Sequence, residues 1–181
     1  MHRCNGFTLV ETVVSLLVLA VLLMVAVPAW SNVLARTHAA SARAALLVSI
    51  TRAIGHAARA GTEVVLCPAT AATCTDTWDW SGGWIAYADR DGDRLRDPGE
   101  KLVDQHPALA DDVRLLTSKG RKRLVFQPNG GNAGSNVTFT LCVGAGQSAK
   151  TLVLANNGNL RSAPLAQQSQ TKCKASGADS L

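Results

Sequence analysis

The chain predicts an α+β fold, in which one long N-terminal helix packs on an antiparallel β-sheet domain. Three observations carry this expectation. A nearly unbroken apolar run from Phe7 to Trp30 passes directly into an alanine-rich stretch, Ser31 to Ala60, patterned at helical spacing. Short β-rich runs separated by turn clusters fill the rest of the chain. These runs are too closely spaced for parallel crossovers, which need a dozen or more residues, so antiparallel pairing is expected.

The apolar run comes first. Phe7 to Trp30 is 24 residues, or about 36 Å as a helix, enough to cross a hydrocarbon core of about 30 Å. It is too long for the apolar region of a secretory signal peptide, and Pro28-Ala29-Trp30-Ser31 offers no convincing cleavage box. A plain anchor accounts for the length and leaves Glu11 unexplained. A carboxylate inside a membrane span costs several kcal/mol unless a partner meets it, and so points to function.

Ser31 to Ala60 continues as an amphipathic helix, with Leu47, Ile50, Ile54 and Ala57 as its expected buried face and Gly61 as its stop. Strands are expected at Glu63–Leu66, Trp84–Ala88, Leu102–Gln105, Val113–Thr117, Leu124–Gln127, Val137–Val143 and Thr151–Leu154. Asn129 to Asn136, Gly144-Ala145-Gly146 and Asn156-Asn157-Gly158 punctuate them. At 181 residues the chain has room for one domain beyond the anchor.

Gly6-Phe7-Thr8-Leu9-Val10-Glu11, placed before such a run, resembles the leader junction of type IV pilins and type II secretion pseudopilins. The resemblance implies that prepilin peptidase cuts after Gly6 and methylates Phe7. It also implies that Glu11, fifth in the mature chain, docks the subunit into a filament by meeting the amino terminus of a neighbouring Phe7. Such a pair removes much of the burial penalty. Pro28 falls where these helices bend. The expected organisation is a leader at 1–6, a filament-core helix at 7–30, an amphipathic helix at 31–60, a β domain at 61–166, and a flexible tail at 167–181 tied by Cys173. The location implied is the bacterial inner membrane, single-pass, with the C-terminal domain in the periplasm, and then the filament.

Cleavage after Gly6 would remove Cys4, leaving Cys67, Cys74, Cys142 and Cys173 out of five cysteines. An even count facing an oxidising periplasm reads as two disulfides. Three pairings are open, and Cys67–Cys74 with Cys142–Cys173 is favoured, the first closing a small loop and the second pinning the tail. No pair has zinc-ligand spacing, and no histidine cluster accompanies them.

Within the pilin-like group, Trp80-Ser81-Gly82-Gly83-Trp84-Ile85-Ala86-Tyr87-Ala88-Asp89, then Asp91-Gly92-Asp93 and Pro98-Gly99-Glu100, resembles the FimT/GspH family of minor pilins and pseudopilins. Phe126-Gln127-Pro128-Asn129-Gly130 and the strand holding Cys142 are similar to that family as well. The partners implied are other minor and major pilins or pseudopilins, and prepilin peptidase.

Charge is uneven. The formal net charge is +5. Asp76 to Asp112 carries ten acids and four bases, a net of −6, whereas Val113 to Leu181 carries nine bases and one acid, a net of +8. Such asymmetry suits oriented stacking of subunits or an anionic ligand, and equally a solvated surface. FimT-like members of the family can bind DNA through a Gly-Arg-x-Arg motif near the C-terminus. The position similar to it here is Gly158-Asn159-Leu160-Arg161, with Asn in place of the first Arg, while Gly120-Arg121-Lys122-Arg123 fits the letters in an earlier turn. Arg121, Lys122, Arg123, Arg161, Lys172 and Lys174 are therefore the candidate phosphate contacts.

Asp89, Asp91, Asp93, Asp97 and Glu100 stand at positions 1, 3, 5, 9 and 12 of a loop, the ligand spacing of an EF-hand calcium site. Arg94 occupies the sixth position, where that loop takes Gly, and a polar hairpin turn explains the same letters. No other cofactor is expected. Of the three neighbouring tryptophans, Trp84 is assigned to the core, with Trp78 and Trp80 open. His38 and His56, on the helix, are expected in solvent. No nucleophile elbow or phosphate loop is present, so no enzymatic activity is expected.

Overall fold

The computed structural model describes residues 8–118, 120–144, 148–164 and 169–173. Helix α1 runs from Leu9 to Ala60. Nine strands follow: β1 (Glu63–Thr70), β2 (Thr73–Cys74), β3 (Trp84–Asp89), β4 (Leu102–His106), β5 (Val113–Leu116), β6 (Leu124–Phe126), β7 (Val137–Val143), β8 (Ser148–Leu154) and β9 (Leu160–Ala163). The chain divides into two units between Leu34 and Ala35.

In the first unit α1 begins at a capping residue. The Glu11 amide donates to Thr8 Oγ1 at 3.3 Å, so Thr8 satisfies one of the helix's free N–H groups. Helix continues through Pro28, although a proline supplies no N–H for the carbonyl four residues before it.

In the second unit the buried face of α1 is Ala35, Ala39, Ala42, Leu46, Ile50, Ala53 and Ala57. Of the expected face, Ile50 and Ala57 are buried and Ile54 packs against the core partly buried, whereas Leu47 is 47% exposed and Leu46 is buried in its place. Alanines carry most of the stripe, so the leucines alone do not mark it. Gly61, with φ +67, donates its N–H to Ala57 O and closes the helix in the left-handed conformation that glycine adopts without penalty.

All nine strands pair antiparallel, in two sheets where the sequence suggested one. The first has the order β2-β1-β3-β4, with β6 alongside β1; the second has the order β5-β7-β8-β9. Strands β2 and β9, absent from the expected set, are short and border single neighbours. The α1 face joins residues of both sheets in one core, with Trp80, Trp84, Phe126 and Phe139 all fully buried. Burying each Phe contributes about 1.5–3 kcal/mol. Trp80, left open by the sequence, meets Phe139 edge-on at 5.5 Å and Trp84 at 6.4 Å.

One buried polar cluster fixes the helix on the first sheet. Trp84 Nε1 donates to Ser49 Oγ at 2.8 Å, Ser49 donates to Asp104, and Arg52 donates to the other oxygen of Asp104 at 2.6 Å. The Asp104 side chain is only 8% exposed, and these hydrogen bonds offset the cost of burying it.

Each sheet also has a smaller cluster on its other face, and each cluster holds a disulfide. Cys67 is bonded to Cys74 beside Val65, Ile85, Tyr87 and Val125, and Cys142 to Cys173 beside Leu116, Ala149 and Trp78. The tail residues Ser169 to Cys173 include helical turns at that bond.

Before β3, the Trp78–Ser81 segment runs along β5: Trp80 N–H donates to Leu115 O and Thr117 N–H to Trp78 O. Arg114 donates to Asp79 at 2.7 Å. Burial acts to raise the Asp79 carboxyl, but hydrogen bonds from Ser81 and Arg114 outweigh it and hold the group below its ordinary range. Chain direction then reverses at Gly83, where φ is +103 and an added Cβ would stand 2.6 Å from His106 O.

Two outcomes are expected. Gly83→Ala destabilises the fold by at least about 2–4 kcal/mol, whereas Gly82→Ala, whose Cβ would meet nothing, stays within about 0.5 kcal/mol; thermal unfolding in detergent separates them. Replacing Cys142 and Cys173 by Ser costs about 3–4 kcal/mol, more than the roughly 2–2.5 kcal/mol for Cys67 and Cys74, because the closed loop is longer, 31 residues against 7. Equal losses in denaturant melts would contradict that order.

Candidate functional site

The exposed apolar helix of the first unit is the part of the chain that needs something outside it. Its large apolar side chains between Leu9 and Val27 stand 51–78% exposed, and α1 is long and apolar enough to cross a membrane. That much bare apolar surface requires a bilayer or neighbouring helices. Glu11 lies in the first turn, exposed, and among the described residues nothing pairs with its carboxylate. Thr8 and Glu11 have the Thr-x-x-Glu spacing of a capping box, a sequence signal that marks where α1 starts. Gly6 and Phe7 lie outside the described residues.

The basic candidates do not converge on one free surface. Arg121 donates to Ala133 O, Ser135 O and Ser135 Oγ, clamping the loop before β7. Lys122 pairs with Asp76 at 2.6 Å, and Arg123 donates to Arg94 O. These three line a concavity with Arg94 and Asp76 in the turn between β5 and β6. Arg161 is exposed on β9, and Lys172 is partly buried beside Cys173. Lys174 lies outside the described residues. The −6 and +8 segments therefore fold partly onto each other, through Lys122–Asp76 and Arg114–Asp79.

The acidic turn joins β3 to β4. Asp89 is buried at the end of β3 and accepts the amides of Gly92 and Arg94. Asp91 accepts from Asp93, and Asp93 accepts from Leu95. The oxygens of Asp89, Asp91 and Asp93 lie within 4.8 Å of one another. Glu100 accepts the amides of Arg90 and Asp97 with its two oxygens. Burial, with Glu100 and Asp91 adding to it, pushes the Asp89 carboxyl up against the two amides that stabilise its charge.

Two histidines differ from expectation. His38 Nδ1 contacts both oxygens of Asp112, at 2.8 and 2.9 Å, and His56 is partly buried. Burial first, then Lys101 and Arg59, lower the His56 pKa. His106, across from Trp84, stacks on it at 4.3 Å. A groove of about 610 Å³ runs between α1 and the β8–β9 edge, lined by Ala39, Arg43, Leu47, Lys150 and Pro164.

The profile of type II transport protein GspH matches residues 42–158, and the prokaryotic N-terminal methylation motif matches residues 1–27. The chain is similar to the pilin-like protein PilA1 of Thermus thermophilus, 32% identical over 163 residues that cover 87% of this chain and 97% of that protein. Its fold is similar to that of the type IV minor pilin FimU of Pseudomonas aeruginosa. The TM-score is 0.56 at 17% identity, covering 71% of this chain and 90% of that one, and 0.52 at 14% identity in a second crystal form, covering 71% and 92%. With an apolar N-terminal helix, a methylation motif and a helix-on-sheet domain in one chain, the protein belongs to the GspH family, as a membrane-anchored, non-enzymatic pilin or pseudopilin.

Proposed function

We propose that this subunit initiates or caps a periplasmic filament. In this reading prepilin peptidase removes residues 1–6 and methylates Phe7, and the anchor holds the subunit in the inner membrane until assembly. The carrying observation is Glu11, a carboxylate with no partner among the described residues, on a helix whose large apolar side chains are bare. In the filament core the cleaved amino terminus of a neighbouring Phe7 would supply its counter-charge, which makes burial of the carboxylate tolerable.

Type IV pilus and type II secretion pseudopilus share this logic, and the neighbouring pilins or pseudopilins define which machine is served. The family match names a type II transport protein, whereas the fold relative is a type IV minor pilin. A DNA-binding role in transformation would rest on Arg161 and Lys172, because Arg121, Lys122 and Arg123 already hold loop carbonyls and Asp76.

Glu11→Ala is expected to leave membrane insertion and domain stability unchanged while lowering co-purification with neighbouring pilins by at least about tenfold, the equivalent of ~1.4 kcal/mol. Undiminished co-purification would remove Glu11 from assembly. Arg161→Ala should leave the same co-purification intact.

A further inference from the structure

We propose that the groove between α1 and the β8–β9 edge receives Leu95, on the turn between β3 and β4, from a second copy of this chain. The inference goes beyond the assembly reading and uses neither Glu11 nor the cleaved terminus.

The groove has a volume of about 610 Å³. Ala40, Ala44, Leu47, Leu152 and Pro164 give it apolar walls, and two cations, Arg43 and Lys150, stand among them. Neither cation is in an ion pair among the described residues. The bordering elements hold no acid to meet them: α1 from Ser31 onward, β8 and β9 carry Arg36, Arg43, Arg52, Arg59, Lys150 and Arg161 and no carboxylate. A complementary occupant therefore carries an apolar side chain with carboxylates beside it.

The chain presents one such group. Leu95, 55% exposed, is the one exposed large apolar side chain described beyond α1. Exposed Asp93 and Asp97 stand two residues to either side of it, and Asp89 to Glu100 carries five acids against three arginines. Of these arginines, Arg96 is tied to Ala72 O, and Arg94 lines the separate concavity with Arg121 and Arg123. The turn is braced as well. Leu95 N–H donates to Asp93 Oδ1 at 2.6 Å and Arg94 N–H to Asp89 Oδ2 at 3.1 Å, so a fixed loop holds Leu95 in solvent.

Within one chain the two features do not meet. Glu63, just after α1 ends at Ala60, pairs with Asp89, so the turn leaves its sheet beside the C-terminal end of α1. The groove uses α1 residues up to Leu47, 13 residues before Ala60, or about 20 Å earlier along the helix. Their union therefore joins copies head to tail, a contact that repeats along a row. Symmetric pairing of two β9 edges is disfavoured, because it gathers Arg43, Lys150 and Arg161 from both copies. One leucine and rim ion pairs make a weak contact, effective where anchors concentrate copies in one bilayer.

The test places two full-length forms in the same phosphatidylcholine vesicles: an unlabelled copy with Leu95→benzoylphenylalanine, a photo-cross-linker, and an isotope-labelled copy of unchanged sequence. Irradiation should join position 95 to labelled peptides from Ala39–Leu47 or Lys150–Pro164. Arg43→Glu with Lys150→Glu in the labelled copy, both exposed positions, should lower the yield at least about fivefold, and Asp97→Lys in the other copy should recover it at least about twofold. No adduct in that groove, adducts confined to the cross-linker's own copy, or a yield indifferent to the charge reversals would each overturn the proposal. No other pilin is present and Glu11 is unchanged, so such a failure leaves the assembly reading standing.

Discussion

The small side chains on the buried face of α1 govern how the domain's core is filled. Five of the seven residues in that face are alanine, so the helix contributes little side-chain volume and the large aromatic residues of the core come from the sheets and the segment before β3. Trp80, Trp84 and Phe139 fill the space that leucines on the helix would otherwise take. The same helix face places Ser49 in hydrogen-bond contact with Trp84 and Asp104. Rotating the helix by one position would strand Asp104, and a buried carboxylate without its partners costs several kcal/mol. The polar cluster thus selects one helix orientation among those a smooth alanine surface would allow.

The other faces of the sheets are held by different means. Each carries too few apolar residues to make a large core, and a disulfide stands in each cluster. Cross-linking restricts the unfolded chain, which compensates for modest burial. Charge acts similarly over longer range, since acids before Val113 receive bases from beyond it at Asp76 and Asp79. What reads along the sequence as a polarised molecule is in part a set of internal ion pairs.

Much of this was legible in the residues. Gly6 to Glu11 before an apolar run is specific enough to indicate the family, and the long helix, seven of the nine strands and the burial of Trp84 follow from pattern. The second sheet was not legible, because strand spacing constrains pairing direction and leaves the number of sheets free. Strand β2 has two residues and β9 four, too short for alternation to show. Leu46 and Leu47 are adjacent, and only the surrounding alanines decide which faces inward. The surroundings of His38, His106 and Tyr87 come from residues distant in sequence, so composition alone could not show that one pairs with a carboxylate, one stacks on Trp84, and one buries a hydroxyl with no hydrogen-bond partner among the described residues.

The two units of the chain follow opposite physical rules. The domain satisfies its apolar surface internally, whereas the residues before Ala35 leave theirs bare and place one carboxylate within it. The functional account links these facts through one covalent event, release of a new amino terminus that can meet Glu11 in an adjacent subunit. The most direct measurement is the intact mass of the chain purified from membranes of cells that contain a prepilin peptidase. The account predicts a chain that begins at Phe7 and carries one added methyl group. A chain that still begins at Met1, or is cut anywhere other than after Gly6, would contradict it.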